Sequence, residues 1–341
     1  MTPQAPRFVL AGLGPHGESP APADELILSD VAIEIARERR FSFAIVLHTT
    51  KSDWASQQLA GITTTLAGYG GRIMAVVDCE YRADRQIEEL RRIIAMGPDA
   101  VISIPVDNVL TADAYREVGQ AGIKLVLMDN APIGMRAGKD YVTVVSSDNF
   151  GNGQVAAAII SENVPAHGVV GIVGFGVEYY VTREREIGFR KWMGERRPDV
   201  TMRQAQFTEL PAAGQMTADF LASNEDVDAL FVVWDEPAMI IARTLRSIRR
   251  IVPMVTIDLG NDVAREIARG DLIKGVGAQR PYDLGVAEAR GAIIALTGGE
   301  PPPWIANPAL SVTRANILEA YEAVWRMPAP TELREILART T

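Results

Sequence analysis

Short apolar runs alternate with longer amphipathic stretches along almost the whole chain. In the first half, mainly apolar runs at 41–47, 73–77, 100–104, 125–128 and 142–145 predict strands buried on both faces. Between them lie helical patterns: one with Leu59, Ile62 and Leu66 on one face, closed by Gly68, Gly70 and Gly71, then 87–96 closed by Gly97-Pro98, and 112–121 closed by Gly122. An Ala-rich helix is predicted over 155–160. The second half repeats the alternation, with strands at 169–173, 202–207, 229–233, 254–257 and 273–277. Its helices cover 182–195, 213–222, a segment entered through Pro237, 263–268 ending at Gly270, and 284–296. After the stiff Pro301-Pro302-Pro303 turn come a strand at 304–310 and a last helix at 316–325. Ser29 is placed to cap a short helix through Arg40, and residues 1–24, rich in Pro, Gly and Ala without any period, read as a mobile or draped tail.

Strands separated by helices of this length form parallel sheets with right-handed crossovers, so the fold class is α/β. A chain of 341 residues exceeds one typical core, and the repeated pattern predicts two similar doubly wound lobes. The stretch 123–153 is central to the organisation. Its first strand stops at Asp129 and Asn130, with Pro132 barring continuation, and residues 146–149 cross from one half to the other. Open α/β sheets bind ligands beyond the carboxyl ends of their strands. Collected there are Asp53 and Trp54, Asp107 and Asn108, Asp129 and Asn130, Tyr179, Tyr180 and Arg183, Phe207, Trp234 and Asp235, Asp258, and Gln279. Carboxylates and amides pair with hydroxyls, and flat aromatic faces cover the C–H faces of a sugar ring, so this inventory suits a small neutral polyhydroxylated ligand. The competing reading of each Asp is an N-cap of the following helix.

Charge and composition narrow the partners. A net charge of −9 argues against nucleic acid, because phosphate neutralisation needs a basic surface; Arg246, Arg249 and Arg250 read as a solvated helix face. The single Cys79 excludes an intramolecular disulfide, and His16, His48 and His167 are too scattered for a metal cluster. No run of 18 apolar residues occurs. Gly171-Ile-Val-Gly174-Phe-Gly176 has the wrong order for a dinucleotide loop, and neither a phosphate loop nor a Gly-x-Ser-x-Gly elbow is present. The expectation is a protein with no catalytic residue, no metal and no cofactor.

Four motifs, in order and spacing, carry a resemblance: Ser147-Asp148-Asn149, Thr182-Arg183-Glu184-Arg185-Glu186-Ile187-Gly188-Phe189, Val255-Thr256-Ile257-Asp258, and Ala278-Gln279-Arg280-Pro281-Tyr282-Asp283-Leu284-Gly285. From about Phe41 to the C-terminus the chain resembles the ribose-type periplasmic sugar-binding proteins of ABC importers. The resemblance implies two flavodoxin-like lobes joined by three crossing strands, with a ligand cleft between them. It implies an N-terminal extension at 1–40, an N-terminal lobe of 41–146 plus 281–309, and a C-terminal lobe of 149–278 plus 312–341. The crossings fall near 146–149, 278–281 and 309–313. By the same resemblance Asp53 and Trp54 supply a polar group and stacking. Asp129 and Asp258 bind hydroxyls, Arg183 matches the arginine opening Arg-x-Arg, Phe207 faces the ligand, and Gln279 is a ligand amide at a hinge. Asn130 replaces the arginine common in ribose binders and Trp234 replaces their asparagine, with Asp235 beside it. The implied protein is a periplasmic monomer that gives a neutral monosaccharide or sugar alcohol to an importer's membrane permease, its export signal removed. Two alternatives stay open: an effector sensor of the same fold, as in the lac repressor family, and a sugar-modifying enzyme.

Overall fold

In the computed structural model, which describes residues 10–177 and 179–339, the apolar runs become strands and the amphipathic stretches become helices. The first half comprises β1 (Ala21–Pro22), α1 (Asp30–Arg39), β2 (Ser42–Leu47), α2 (Asp53–Gly68), β3 (Arg72–Asp78), α3 (Ala83–Met96), β4 (Ala100–Ser103), α4 (Ala112–Gln120), β5 (Lys124–Met128) and β6 (Thr143–Ser147). The second comprises α5 (Asn149–Ser161), β7 (Val169–Phe175), α6 (Tyr180–Arg196), β8 (Thr201–Phe207), α7 (Ala213–Ser223), β9 (Ala229–Val232), α8 (Asp235–Ser247), β10 (Met254–Ile257), α9 (Asn261–Arg269) and β11 (Ile273–Ala278). The chain closes with α10 (Pro281–Leu296), β12 (Trp304–Asn307), β13 (Leu310–Thr313), α11 (Ile317–Trp325) and α12 (Thr331–Arg339).

These elements form two units. The first, Leu13–Ser147 with Pro281–Asn307, holds a sheet of order β1-β12-β6-β5-β4-β2-β3 in which every pairing is parallel. The second, built on Asp148–Arg280 with residues 308–339 and 10–12, holds the order β13-β11-β10-β9-β7-β8. Central strands are buried along their whole length, as parallel strands covered by helices on both faces must be. Edge strands β3 and β8 carry exposed polar residues instead, which blunts them against further pairing.

Each unit contains one helix pair in close backbone contact at glycine. In the first, a methyl group on Gly61 would collide with the carbonyl oxygen of Tyr282 and one on Gly285 with that of Gln58, so α2 and α10 touch main chain to main chain. In the second, Gly153 faces the Arg185 carbonyl and Gly188 that of Phe150, which seats α5 on α6 in the same manner.

The structure departs from the sequence pattern in four places. The single strand expected at 304–310 is two strands, broken at Pro308: β12 pairs in parallel with β6, and β13 runs antiparallel along β11. A proline lacks the N–H that a continuous ladder needs. The helix expected from 155 begins at Asn149, because Asp148 Oδ1 accepts the Gly151 N–H at 2.8 Å and caps it. An additional helix, α12, follows the last one predicted. Of the expected tail, residues 1–9 lie outside the described part. The rest is ordered into the fold: Ala21 and Pro22 pair with Ile305 and Ala306, and Leu26 and Leu28 are buried. Ser29 Oγ caps α1 by accepting the Ala32 N–H at 3.2 Å.

Candidate functional site

In the first unit the polar and aromatic side chains gather at the carboxyl ends of neighbouring strands. β2 is followed by His48, whose ring stands edge-on to Trp54 (centroids 5.6 Å apart) and to Tyr81 beyond β3 (4.9 Å). Burial lowers the His48 pKa to about 4, against the pull of Asp78, so the imidazole is neutral at physiological pH. Asp53 is exposed and Trp54 half-buried in the first turn of α2; Ser52, not Asp53, caps that helix. Asp107 accepts the N–H groups of Val109 and Leu110 and is spent on its own turn. Asp129 and Asn130 follow β5, both buried, and Asp129 has a left-handed backbone with φ 58°. The Asn130 amide is fully buried with neither its oxygen nor its nitrogen hydrogen-bonded among the described residues.

In the second unit the sheet order places the ends of β8, β7, β9, β10 and β11 side by side. They present Phe207, Phe175, Trp234, Asp258 and Gln279 in that sequence. The three aromatic rings touch one another: Phe207 lies 5.5 Å from Phe175 and 5.3 Å from Trp234, and Phe175 meets Trp234 edge-on at 5.4 Å. Beside them runs a polar network. Gln279 Nε2 donates to Asp258 Oδ1 at 2.7 Å, and Arg185 Nη1 stands 3.6 Å from Asp258 Oδ2. Arg185 also donates through Nε to Asn149 Oδ1 (2.9 Å) and through Nη1 to the Val233 carbonyl (3.0 Å). Burial raises the Asp258 carboxyl above its ordinary range, opposed by Arg185 and Gln279. Asp258 too has a left-handed backbone, φ 75°.

The Arg-x-Arg motif divides by helix geometry. Residues two apart on a helix point about 200° apart, so only one arginine can turn inward: Arg185 is buried, whereas Arg183 is exposed. Asp235 opens α8 and accepts the Gly260 N–H at 3.1 Å, tying α8 to the start of α9. Four residues of the set, Asp258 and Gln279 in one network and Phe207 with Trp234 in another, are therefore grouped with residues that the sequence pattern does not assign to the site: Arg185, Asn149 and Phe175. Helix periodicity favours the inward Arg185, and Phe175 is the aromatic that ends its strand.

The first unit hides a further polar group. Glu288 on α10 is fully buried, and Gln58 Nε2 on α2 donates to its two oxygens at 2.6 and 2.9 Å. Among the described residues no group of three or more His, Cys, Asp or Glu could hold a metal ion, and no helix is long and apolar enough to cross a membrane.

Known proteins resemble this chain over most of its length. The ribose import binding protein RbsB of Bacillus subtilis is 23% identical over 271 residues, covering 80% of this chain and 87% of the relative. The Escherichia coli protein of that name is 24% identical over 222 residues, covering 63% and 71%. Among solved structures, an ABC transporter solute-binding protein of Agrobacterium vitis bound with α-D-tagatopyranose superposes with a TM-score of 0.76 at 21% identity, covering 85% of this chain and all of the other. Another from that organism, with bound allitol, gives 0.71 at 19% identity, covering 83% and 98%. The family defined by the periplasmic binding protein domain matches residues 43–300, well over half the chain, and the protein belongs to that family.

Proposed function

We propose that this protein is a solute-binding protein that captures a monosaccharide or sugar alcohol and gives it to an ABC importer. Its function is binding, not catalysis. The observation that carries the reading is the Arg185–Asp258–Gln279 network set beside Phe175, Phe207 and Trp234. Paired donors and acceptors satisfy hydroxyls, and adjacent ring faces cover a carbon skeleton. The first unit presents Asp129, Asn130, Asp53 and Trp54 at its own strand ends. The unbonded Asn130 amide supports this, since a buried polar group without a partner costs about 1–3 kcal/mol and a hydroxylated ligand removes that cost. Of the two arginines in the motif, Arg185 is the one assigned to the ligand side. The relatives named for ribose import and the neighbours with bound tagatose and allitol agree with a sugar or polyol. We place it as a monomer outside the cytoplasmic membrane, its chain passing between the units near 146–149, 278–281 and 309–313.

A thermal-shift panel of D-ribose, D-arabinose, D-tagatose and allitol tests this. A ligand at 100 times its Kd stabilises the folded state by about 2.7 kcal/mol, so at least one compound raises the melting temperature by several degrees. Asp258→Ala abolishes that shift and, because it leaves the buried Arg185 without its carboxylate, also lowers the ligand-free melt. No shift with any panel member, on folded protein, removes the proposal. The half-buried Trp234 reports the same event: binding changes the intrinsic fluorescence, and Trp234→Phe removes most of the change.

A further inference from the structure

We propose that Glu288 is a proton-bearing positioning residue, whose uncharged carboxylic acid beneath the end of β5 lets Asp129 keep its negative charge for ligand hydroxyls. The role of Asp129 rests on the proposed function; the proton on Glu288 does not. Glu288 is wholly buried where α10 lies against α2, and the main-chain contact at Gly61 and Gly285 holds these helices together around it. Its polar neighbour is the Gln58 amide, 2.6 and 2.9 Å from the two carboxyl oxygens. An amide has one donating and one accepting end, and a carboxylic acid can match either. Among the described residues Glu288 forms no ion pair. From the elements packed against α10, the charged group that acts on it is Asp129, of like sign. α2 presents Gln58. α1 turns Glu34, Arg37, Glu38 and Arg39 to solvent, the preceding turn exposes Asp24 and Glu25, and Lys124 lies exposed at the far end of β5. β4, β6 and β12 carry no charge.

A buried carboxylate with one neutral donor and a second carboxylate nearby is expensive, and such groups take up a proton instead. Burial, then Asp129, raise the Glu288 pKa well above its ordinary value of 4.5. Of the two carboxyls, Glu288 is therefore the one that takes up the proton.

The test compares wild type with Glu288→Gln, which keeps the shape and removes the titration. At pH 7 the infrared band of a protonated carboxylic acid, present in wild type, disappears in the variant. Because the folded-state pKa is raised, the stability Glu288 contributes is present below about pH 4.5 and declines above it. The folding constant of wild type relative to the variant therefore falls up to tenfold per pH unit, until the raised value is passed. Retention of the band in the variant, or parallel stability curves, overturns the proposal. If the variant does not fold, wild type labelled with 13C-glutamate decides: the protonated band moves with the label if Glu288 holds the proton, and an unmoved or absent band overturns the idea. Calorimetry with the four panel compounds from pH 6 to 9 reads the positioning role. Affinity declines at the alkaline end in wild type and stays level in Glu288→Gln; equal declines in both overturn it. Absence of binding throughout, with the infrared and stability differences intact, rejects the ligand reading of Asp129 and leaves the proton on Glu288 standing.

Discussion

Replacing Arg185 by methionine lowers the unfolding free energy by about 3–5 kcal/mol, the range for breaking a buried charge pair from one side, and eliminates polyol-induced stabilisation. Methionine is of similar reach but donates nothing. Asp258 loses its cation, and the Asn149 side-chain oxygen and the Val233 carbonyl lose their donors. Arg183→Met, two residues away and exposed, changes stability by about 0.5 kcal/mol or less. Combining Arg185→Met with Asp258→Asn recovers part of the loss, since the uncompensated charge is gone. Urea denaturation of these variants, with and without the panel compounds, measures all three. Equal effects of Arg183 and Arg185 replacements would show that the network contributes neither stability nor recognition.

The second large effect comes from the contact between α5 and α6. Gly153→Ala and Gly188→Ala each place a methyl group against a main-chain carbonyl, which cannot rotate aside as a side chain can. Overpacking of this kind costs about 1–3 kcal/mol and sometimes more. It also reaches ligand recognition, because Asn149 lies on one of these helices and Arg185 on the other. Gly194 provides the internal control. It belongs to α6 as well, is exposed, and has open space where a methyl group would go. Gly194→Ala should therefore stabilise by about 0.5–1 kcal/mol through helix propensity alone. Thermal melts of the three variants, normalised to wild type, give the comparison. If Gly153→Ala melts no lower than Gly194→Ala, the helices are not in main-chain contact.

The α/β alternation and nearly all strands were legible in the sequence because buried parallel strands are continuous apolar runs, bounded by glycine and proline. What escaped were positions where polar residues are buried. The first turn of α5 reads as loop because Asn149 and Asn152 are hydrophilic, yet both are enclosed in the fold. Glu288 reads as one more charge on an amphipathic helix; its burial depends on Gln58, 230 positions away in sequence, and no local pattern encodes that. The choice between Arg183 and Arg185 needs the phase of the helix, which a motif three residues wide does not supply. The continuous pattern at 304–310 conceals a change of sheet, since residues on both sides of Pro308 are apolar enough for a strand. Strand-end aspartates were open to the N-cap reading, and the structure separates them. Asp148 does cap a helix, whereas Ser52 performs that task beside Asp53, and no helix starts at Asp129 or Asp258.

Asp129 and Asp258 both occupy left-handed backbone, a conformation that glycine adopts without steric penalty. Directed evolution that screens for heat tolerance alone will therefore be drawn to glycine at position 129, whereas at position 258 the loss of the buried pair with Arg185 outweighs the backbone gain. A screen that keeps the protein useful must score retention of ligand in every round.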